Sequence, residues 1–183
     1  MILLKKWCRQ ILLGIEYLHR WRIIHRDIKG ENIFLSTQTR EKCVMKIGDL
    51  DDIKALKNES SMANNDLTSY KGTLPYSSAE ILSELMKEKS EFHVGRKTDI
   101  WSYGCVVVEM WTRRPPSYAG DTSGSGQPSP NISTRGQPLM PGDMPEELRQ
   151  FTDLCLQIDP NHRPDASKLL KDSFFDGVEP ILH

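Results

Sequence analysis

Cysteine is scarce in this chain and shows no pairing pattern. The four cysteines, at 8, 43, 105 and 155, lie far apart and none sits in a Cys-x-x-Cys unit. That spacing argues against a zinc site or a disulfide framework and for free thiols in a reducing compartment, which points to the cytoplasm. No run of about 18 apolar residues occurs, so no membrane span is expected. Charge of one sign is not in surplus either. A net charge of -1 gives no general attraction to nucleic acid or an anionic membrane, although a local basic groove is compatible with it. The opening Met1-Ile2-Leu3-Leu4-Lys5-Lys6 is too short and too soon charged for a signal peptide. Asn58-Glu59-Ser60 and Asn131-Ile132-Ser133 fit the glycosylation pattern, but without a secretory signal they read as chance matches.

What is present suits one soluble globular domain with a core of good size: 183 residues, 38% hydrophobic and 27% charged. Leu4, Trp7, Ile11, Ile15 and Leu18 recur at three- and four-residue steps, which predicts a helix over 2–20 with one packed face. Val44–Ile47 is a short strand candidate. Residues 52–72 hold little apolar content beyond Ile53, Leu56 and Leu67 and read as a long loop. Residues 99–112 are apolar on nearly every side, the pattern of a buried helix. Seven of the eleven prolines fall in 113–145 together with five glycines, which predicts loop. Leu148, Phe151, Cys155 and Ile158 restore a helical stripe, and Asp165 is a plausible N-cap for a last short helix carrying Leu169 and Leu170. The tally is mainly α, with one or two very short β-strand pairs.

The chemistry concentrates in His25-Arg26-Asp27-Ile28-Lys29-Gly30-Glu31-Asn32. This segment resembles the protein-kinase catalytic loop, H-R-D-x-x-x-x-N. Phosphoryl transfer needs an acceptor for the substrate hydroxyl's proton, and Asp27 fits. It needs a divalent cation on the phosphates, and Asn32 offers a neutral oxygen ligand five residues on. The resemblance implies that Lys29 balances charge on the transferred phosphoryl, the mark of the serine/threonine type, and that His25 packs as a structural residue. It also implies ATP contacts from Lys29, Glu31, Asn32 and Asp49, with Phe34 in the floor under the adenine ring.

Asp49 follows Asn32 by seventeen residues, where the family's Asp-Phe-Gly aspartate binds magnesium (or manganese). Here the triplet is Asp49-Leu50-Asp51. Leu50 keeps an apolar contact, but Asp51 is expected to meet backbone strain in a glycine's place. With Asp52 it also brings further carboxylates, which either assist the cation or repel the phosphates. Gly72-Thr73-Leu74-Pro75-Tyr76-Ser77-Ser78-Ala79-Glu80 resembles the end of a kinase activation segment, with Ala79 in the proline position. The resemblance pairs Glu80 with Arg163 and has Asp99 hold the catalytic loop's backbone. It makes Arg26 the partner of an activation-segment phosphate, for which Thr68 or Ser69 are the favoured sites, and lets Thr73 contact Asp27 and Lys29.

The likeness covers nearly the whole chain, and H-R-D-I-K-G-E-N, G-T-L-x-Y and Asp172-Ser173-Phe174-Phe175 resemble MAP kinase kinase kinases most. It implies the C-terminal lobe of a kinase over 1–176, then a tail over 177–183. ATP and a protein substrate such as a MAP kinase kinase would be its partners, with no nucleic acid. No glycine-rich loop and no V-A-I-K lysine precede residue 2, so activity from these residues alone is not expected. Residues 117–142 are too rich in Pro, Gly and Ser for the usual apolar substrate-docking helix. Two readings follow: the catalytic lobe of a serine/threonine kinase, or a pseudokinase-like interaction module with Phe34 and Leu50 exposed.

Overall fold

The computed structural model describes residues 1–37, 43–56, 66–68, 71–85, 87, 92–119 and 136–178. Its centre is two long helices. Helix α1 spans Ile2–Arg20 and buries Cys8, Ile11, Leu12 and Ile15 completely. Those positions fall on one stripe at helical spacing, and the stripe ends on the buried His19. Each fully buried aliphatic side chain contributes about 1.5–3 kcal/mol.

After α1, a two-residue strand β1 (Ile23–Ile24) precedes the hairpin of β2 (Ile33–Thr37) and β3 (Cys43–Ile47). Strands β4 (Lys54–Ala55) and β5 (Asp66–Thr68), helix α2 (Ala79–Leu85) and strand β6 (Phe92–Val94) follow. Helix α3, Arg96–Thr112, is the hydrophobic axle: Ile100, Trp101, Tyr103, Cys105, Val106, Val107 and Val108 are all buried. It begins three residues before the apolar run, because Arg96, Lys97 and Thr98 form a polar first turn.

Helix α4 (Glu146–Cys155) brings Leu148, Phe151 and Cys155 to the same core. Helix α5 (Ala166–Leu169) and a 3-10 turn at Ser173–Phe175 close its far side. There Phe151 stacks on Phe174, with centroids 4.5 Å apart, and meets Tyr103 and Phe175 edge-on. Gly104 permits the close approach of α3 to the end of α4, since a side-chain carbon at 104 would come within 2.8 Å of Cys155 and 2.9 Å of Leu156.

Among the described residues three antiparallel two-stranded ladders form, β1–β4, β2–β3 and β5–β6, one more than the sequence pattern anticipates. Two of them take strands from the stretch 52–72 read as loop, because a ladder of two or three residues leaves no periodic signal. In the β2–β3 register Ile33 faces Ile47 and Leu35 faces Met45. Ile33, Met45 and Ile47 pack on the main core. Gln10 Oε1 accepts the Met45 N–H at 2.8 Å, fixing the hairpin to α1. A second small core joins Ile24, Leu56, Ile81 and Val94.

In the C-terminal third one expectation fails and another holds in position. Ile158 lies beyond α4 and is about half exposed, since the helix ends at Cys155. Asp165 stands at the N-cap of α5 but makes no side-chain cap; its carboxylate instead pairs with Lys97 at 2.7 Å. Between α3 and α4 no helix forms among the described residues.

Candidate active site

Three segments meet at the N-terminal end of α3: the turn 25–32, the end of β3 at Gly48–Asp49, and the stretch 71–80. Asp99, in the first turn of α3, is their junction. Its side chain is 1% exposed. Oδ2 accepts the ring N–H of His19 and the amide of His25, and Oδ1 accepts the amide of Arg26, all at 2.9 Å. Burial would raise this carboxyl, but His19 and the two amides outweigh it and hold Asp99 below the ordinary carboxylate value. His25, fully buried, donates from Nε2 to the Gly48 carbonyl at 3.0 Å, so the same turn grips the chain leading to Asp49.

Asp27 faces a compact polar cluster. Lys29 Nζ lies 2.8 Å from Asp27 Oδ2 and donates to Thr73 Oγ1 at 3.0 Å, while the Thr73 hydroxyl donates to Asp27 Oδ1 at 2.9 Å. Asn32 Nδ2 donates to the Asp27 carbonyl at 2.9 Å and to Oδ2 at 3.3 Å. The amide nitrogen is therefore committed to Asp27, which leaves the amide oxygen of Asn32 as its offer to a cation. The bond to Asp27, then the charges of Asp27, Glu31 and Asp49, raise the Lys29 ammonium above its ordinary value against partial burial. Lys29 is thus held charged among carboxylates, as a group must be if it is to meet anionic phosphate. The base candidate, its lysine and a hydroxyl from the 71–80 segment form one hydrogen-bonded set.

The expected strain at Asp51 is absent. Asp49 takes the left-handed conformation instead, with φ 58°, and Asp51 is not among the positive-φ residues. Aspartate tolerates that region better than most side chains because its short carboxylate bonds locally. From Asp49 to Asp51 the chain runs exposed, and Leu50, half exposed, belongs to neither core cluster. Phe34 is likewise about half exposed, and Glu31 is open at 81%. Arg26, left-handed at φ 73°, donates from Nε to the Asp52 carbonyl, and the Asp52 carboxylate pairs with Lys71 at 3.3 Å.

Among the described residues no three His, Cys, Asp or Glu converge as a metal site. The extra carboxylates at 51 and 52 therefore do not build a cage with Asp49. An amide oxygen at Asn32 and a carboxylate at Asp49 are hard oxygen donors. They suit a small divalent cation that takes its other ligands from water and phosphate.

Away from the cluster, Glu80 and Arg163 form a two-bond pair, Nη1 to Oε1 at 2.7 Å and Nη2 to Oε2 at 2.6 Å. Arg163 also donates to the carbonyls of Gln157, Lys97 and Ile158 and lies over the Trp101 ring. Ser69 lies outside the described residues, as do Ser60, Ser61 and Tyr70. Thr68 ends β5, its backbone paired in register with Phe92.

Two residues escape the sequence reading. His19 reaches Asp99 across 80 positions. Glu109, on α3, accepts the Gly30 amide at 3.1 Å and the Tyr76 hydroxyl at 2.9 Å, both through Oε2. Tyr76 is pushed up by burial and then by Glu109. A signal for Glu109 did exist, an acidic residue inside a helix otherwise apolar. Gly30 allows this contact, since a side chain there would run into the Glu109 carboxylate.

The family model described as protein kinase domain matches residues 2–175. The chain belongs to the protein kinase family. Kinases of this family in general use ATP with a divalent metal and phosphorylate proteins. This kinase domain is 38% identical over 96% of its length to mitogen-activated protein kinase kinase kinase A of Dictyostelium discoideum, of which it spans 17%. It is 35% identical over 93% of its length to mitogen-activated protein kinase kinase kinase 4 of Homo sapiens, spanning 10% of that protein. To the Arabidopsis thaliana kinase named mitogen-activated protein kinase kinase kinase 5 it is 33% identical over 96%, spanning 23%. It is of the serine/threonine type and resembles MAP kinase kinase kinases, and it covers less than a quarter of each of these relatives. No helix among the described residues is long and apolar enough to cross a membrane.

Proposed function

We propose that this domain is the C-terminal, catalytic lobe, over 1–176, of a serine/threonine kinase that moves the γ-phosphate of ATP to a protein hydroxyl in a MAP kinase cascade. The observation that carries the reading is the Asp27–Lys29–Thr73 set, with Asn32 bonded to the same carboxylate. In this reading Asp27 accepts the proton of the substrate serine or threonine. Lys29, kept charged by its neighbours, steadies the transferred phosphoryl group, where most of the rate in this chemistry originates. Thr73 bonds to both groups and would free Asp27 when substrate arrives. Asn32 and Asp49 would hold magnesium, which neutralises phosphate charge when bound. The substrate would be a MAP kinase kinase, and the setting cytoplasmic.

A second reading is favoured by one observation: Phe34 and Leu50 leave apolar surface open beside the site, which suits a pseudokinase-like interaction module. Labelled γ-phosphate transfer to a pool of serine/threonine peptides separates the two. The kinase reading expects transfer, once the chain is joined to a glycine-rich loop and its lysine, that Asp27→Asn abolishes and Thr73→Ser largely keeps. Transfer that survives Asp27→Asn contradicts the assigned base, and its complete absence from that joined form in every Mg-ATP condition favours the module.

A further inference from the structure

The end of α3 opposite Asp99 carries a cleft that phosphate transfer does not use. At a rise of about 1.5 Å per residue, Trp111 lies roughly 18 Å along the helix from Asp99. A cavity of about 380 Å³ opens there between two walls, a size within the range of ligand pockets. The first wall is the turn that leaves α3, with Arg114, Pro115 and Pro116. The second is the stretch 139–143, with Leu139 and Pro141. Trp111 and the buried Val108 line the cleft from α3. Both walls are tied in place. The Leu139 amide donates to the Ser117 carbonyl at 2.8 Å, Arg149 Nη2 to the Pro141 carbonyl at 2.6 Å, and Trp111 Nε1 to Asp143 Oδ1 at 3.3 Å. A cleft fixed in this way loses little freedom on binding.

Its surface is part apolar and part cationic. Leu139 is 52% exposed, and Pro115 is also open. Arg113 and Arg114 are exposed, and among the described residues neither guanidinium has an acid partner. The one acid in the lining, Asp143, is engaged with the Trp111 indole. Pro115 and Pro116 lack amide donors, so their wall offers side chains rather than a strand edge to a visitor. Tryptophan and arginine in a fixed concave surface are the side chains that most often carry protein–protein affinity. We propose that this cleft docks an extended segment of a partner protein in which acidic and apolar residues alternate. Its apolar side chains would lie against Trp111, Leu139 and the prolines, and its carboxylates would meet Arg113 and Arg114. A partner docked there leaves the Asp27 site open. The proposal holds whether the domain is a kinase lobe or an interaction module.

Fluorescence anisotropy on the whole chain tests it, with a labelled hexapeptide of alternating glutamate and leucine beside lysine–leucine and glutamate–serine counterparts. The glutamate–leucine peptide should bind about tenfold or more tighter than either counterpart, and its binding should weaken as salt rises. Arg114→Glu should weaken it by about tenfold, and Leu139→Ser should weaken it as well. Both side chains are exposed, so neither change touches the core. By NMR the Trp111 indole N–H should shift with bound peptide while the amides around Asp27 stay in place. No binding at millimolar peptide overturns the proposal, as does equal binding of the lysine–leucine peptide or binding that both variants leave intact. Two further results overturn it by giving the cleft another occupant. Displacement of the probe by a peptide of residues 120–135 would assign it to this chain's own segment. Self-association in sedimentation that Leu139→Ser abolishes would assign it to a second copy. None of these outcomes depends on Asp27, so failure here is distinct from failure of the kinase reading.

Discussion

Arg163 grips Glu80 through two hydrogen bonds of 2.7 and 2.6 Å, joining the residue after α4's connecting turn to the first turn of α2 across 83 positions. The guanidinium is fully buried and uses its remaining donors on three carbonyls. All its N–H capacity is thereby spent in one fixed fork.

Breaking that pair from one side should be costly. Glu80→Ala leaves a buried guanidinium without its counter-charge and is expected to lower unfolding free energy by about 3–5 kcal/mol. Urea denaturation followed by tryptophan fluorescence measures it, since Trp101 lies under the guanidinium. A loss below about 1 kcal/mol would show that the pair behaves like a surface bridge.

Acid should act through Asp99. Its carboxyl is lowered in the folded chain, whereas the unfolded value is about 3.9. Its stabilising contribution is therefore complete above the unfolded value and is lost as pH falls through the folded one. Unfolding free energy of the natural chain should drop from about pH 5 downward more steeply than that of Asp99→Asn, which is weaker at neutral pH. Parallel curves for the two proteins would remove Asp99 from the acid response.

Thiol labelling should single out one cysteine. Burial pushes the Cys8 thiol up to about 12 and Cys155 well above its ordinary value, and Cys105 is also fully buried. Cys43, on β3, is the partly exposed one. Iodoacetamide at neutral pH in native conditions should modify Cys43 alone, with the others reacting only on unfolding. Mass spectrometry showing early modification of Cys8 or Cys155 would mean that the α1–α3–α4 core opens readily.

Gly30 makes a sharper test of the Glu109 contact. Gly30→Ala should force the Glu109 carboxylate off the Gly30 amide and Tyr76 hydroxyl, at a cost of about 1–3 kcal/mol. Thermal denaturation reads the loss. A neutral effect would mean that Glu109 moves aside without penalty.

These features differ in how far the sequence announces them. Helix α1 has the bounds that its apolar spacing predicts, Ile2 to Arg20, because one stripe of aliphatic residues faces one core. The residues from His25 to Asn32 stand out because phosphate transfer dictates their types within a single short segment. Glu109 and His19 do not, since their partners lie 79 and 80 positions away and nothing local names the face they meet. Asp51 misleads for a related reason. Sequence locates a residue where glycine is usual, but backbone packing decides which neighbour turns left-handed, and here it is Asp49. The ladders of β1–β4 and β5–β6 are two or three residues long, below the length at which alternation is visible.

The central claim is that Asn32 and Asp49 hold a magnesium-bound nucleotide beside Asp27. Melting temperature of the chain with ATP, with and without magnesium, tests it most directly. A ligand that binds only the folded state adds about 2.7 kcal/mol at a hundred times its dissociation constant. The account predicts a rise that requires magnesium, disappears in Asp49→Ala and survives in Asp51→Ala. No rise at millimolar ATP, or one equally large without magnesium, would contradict it.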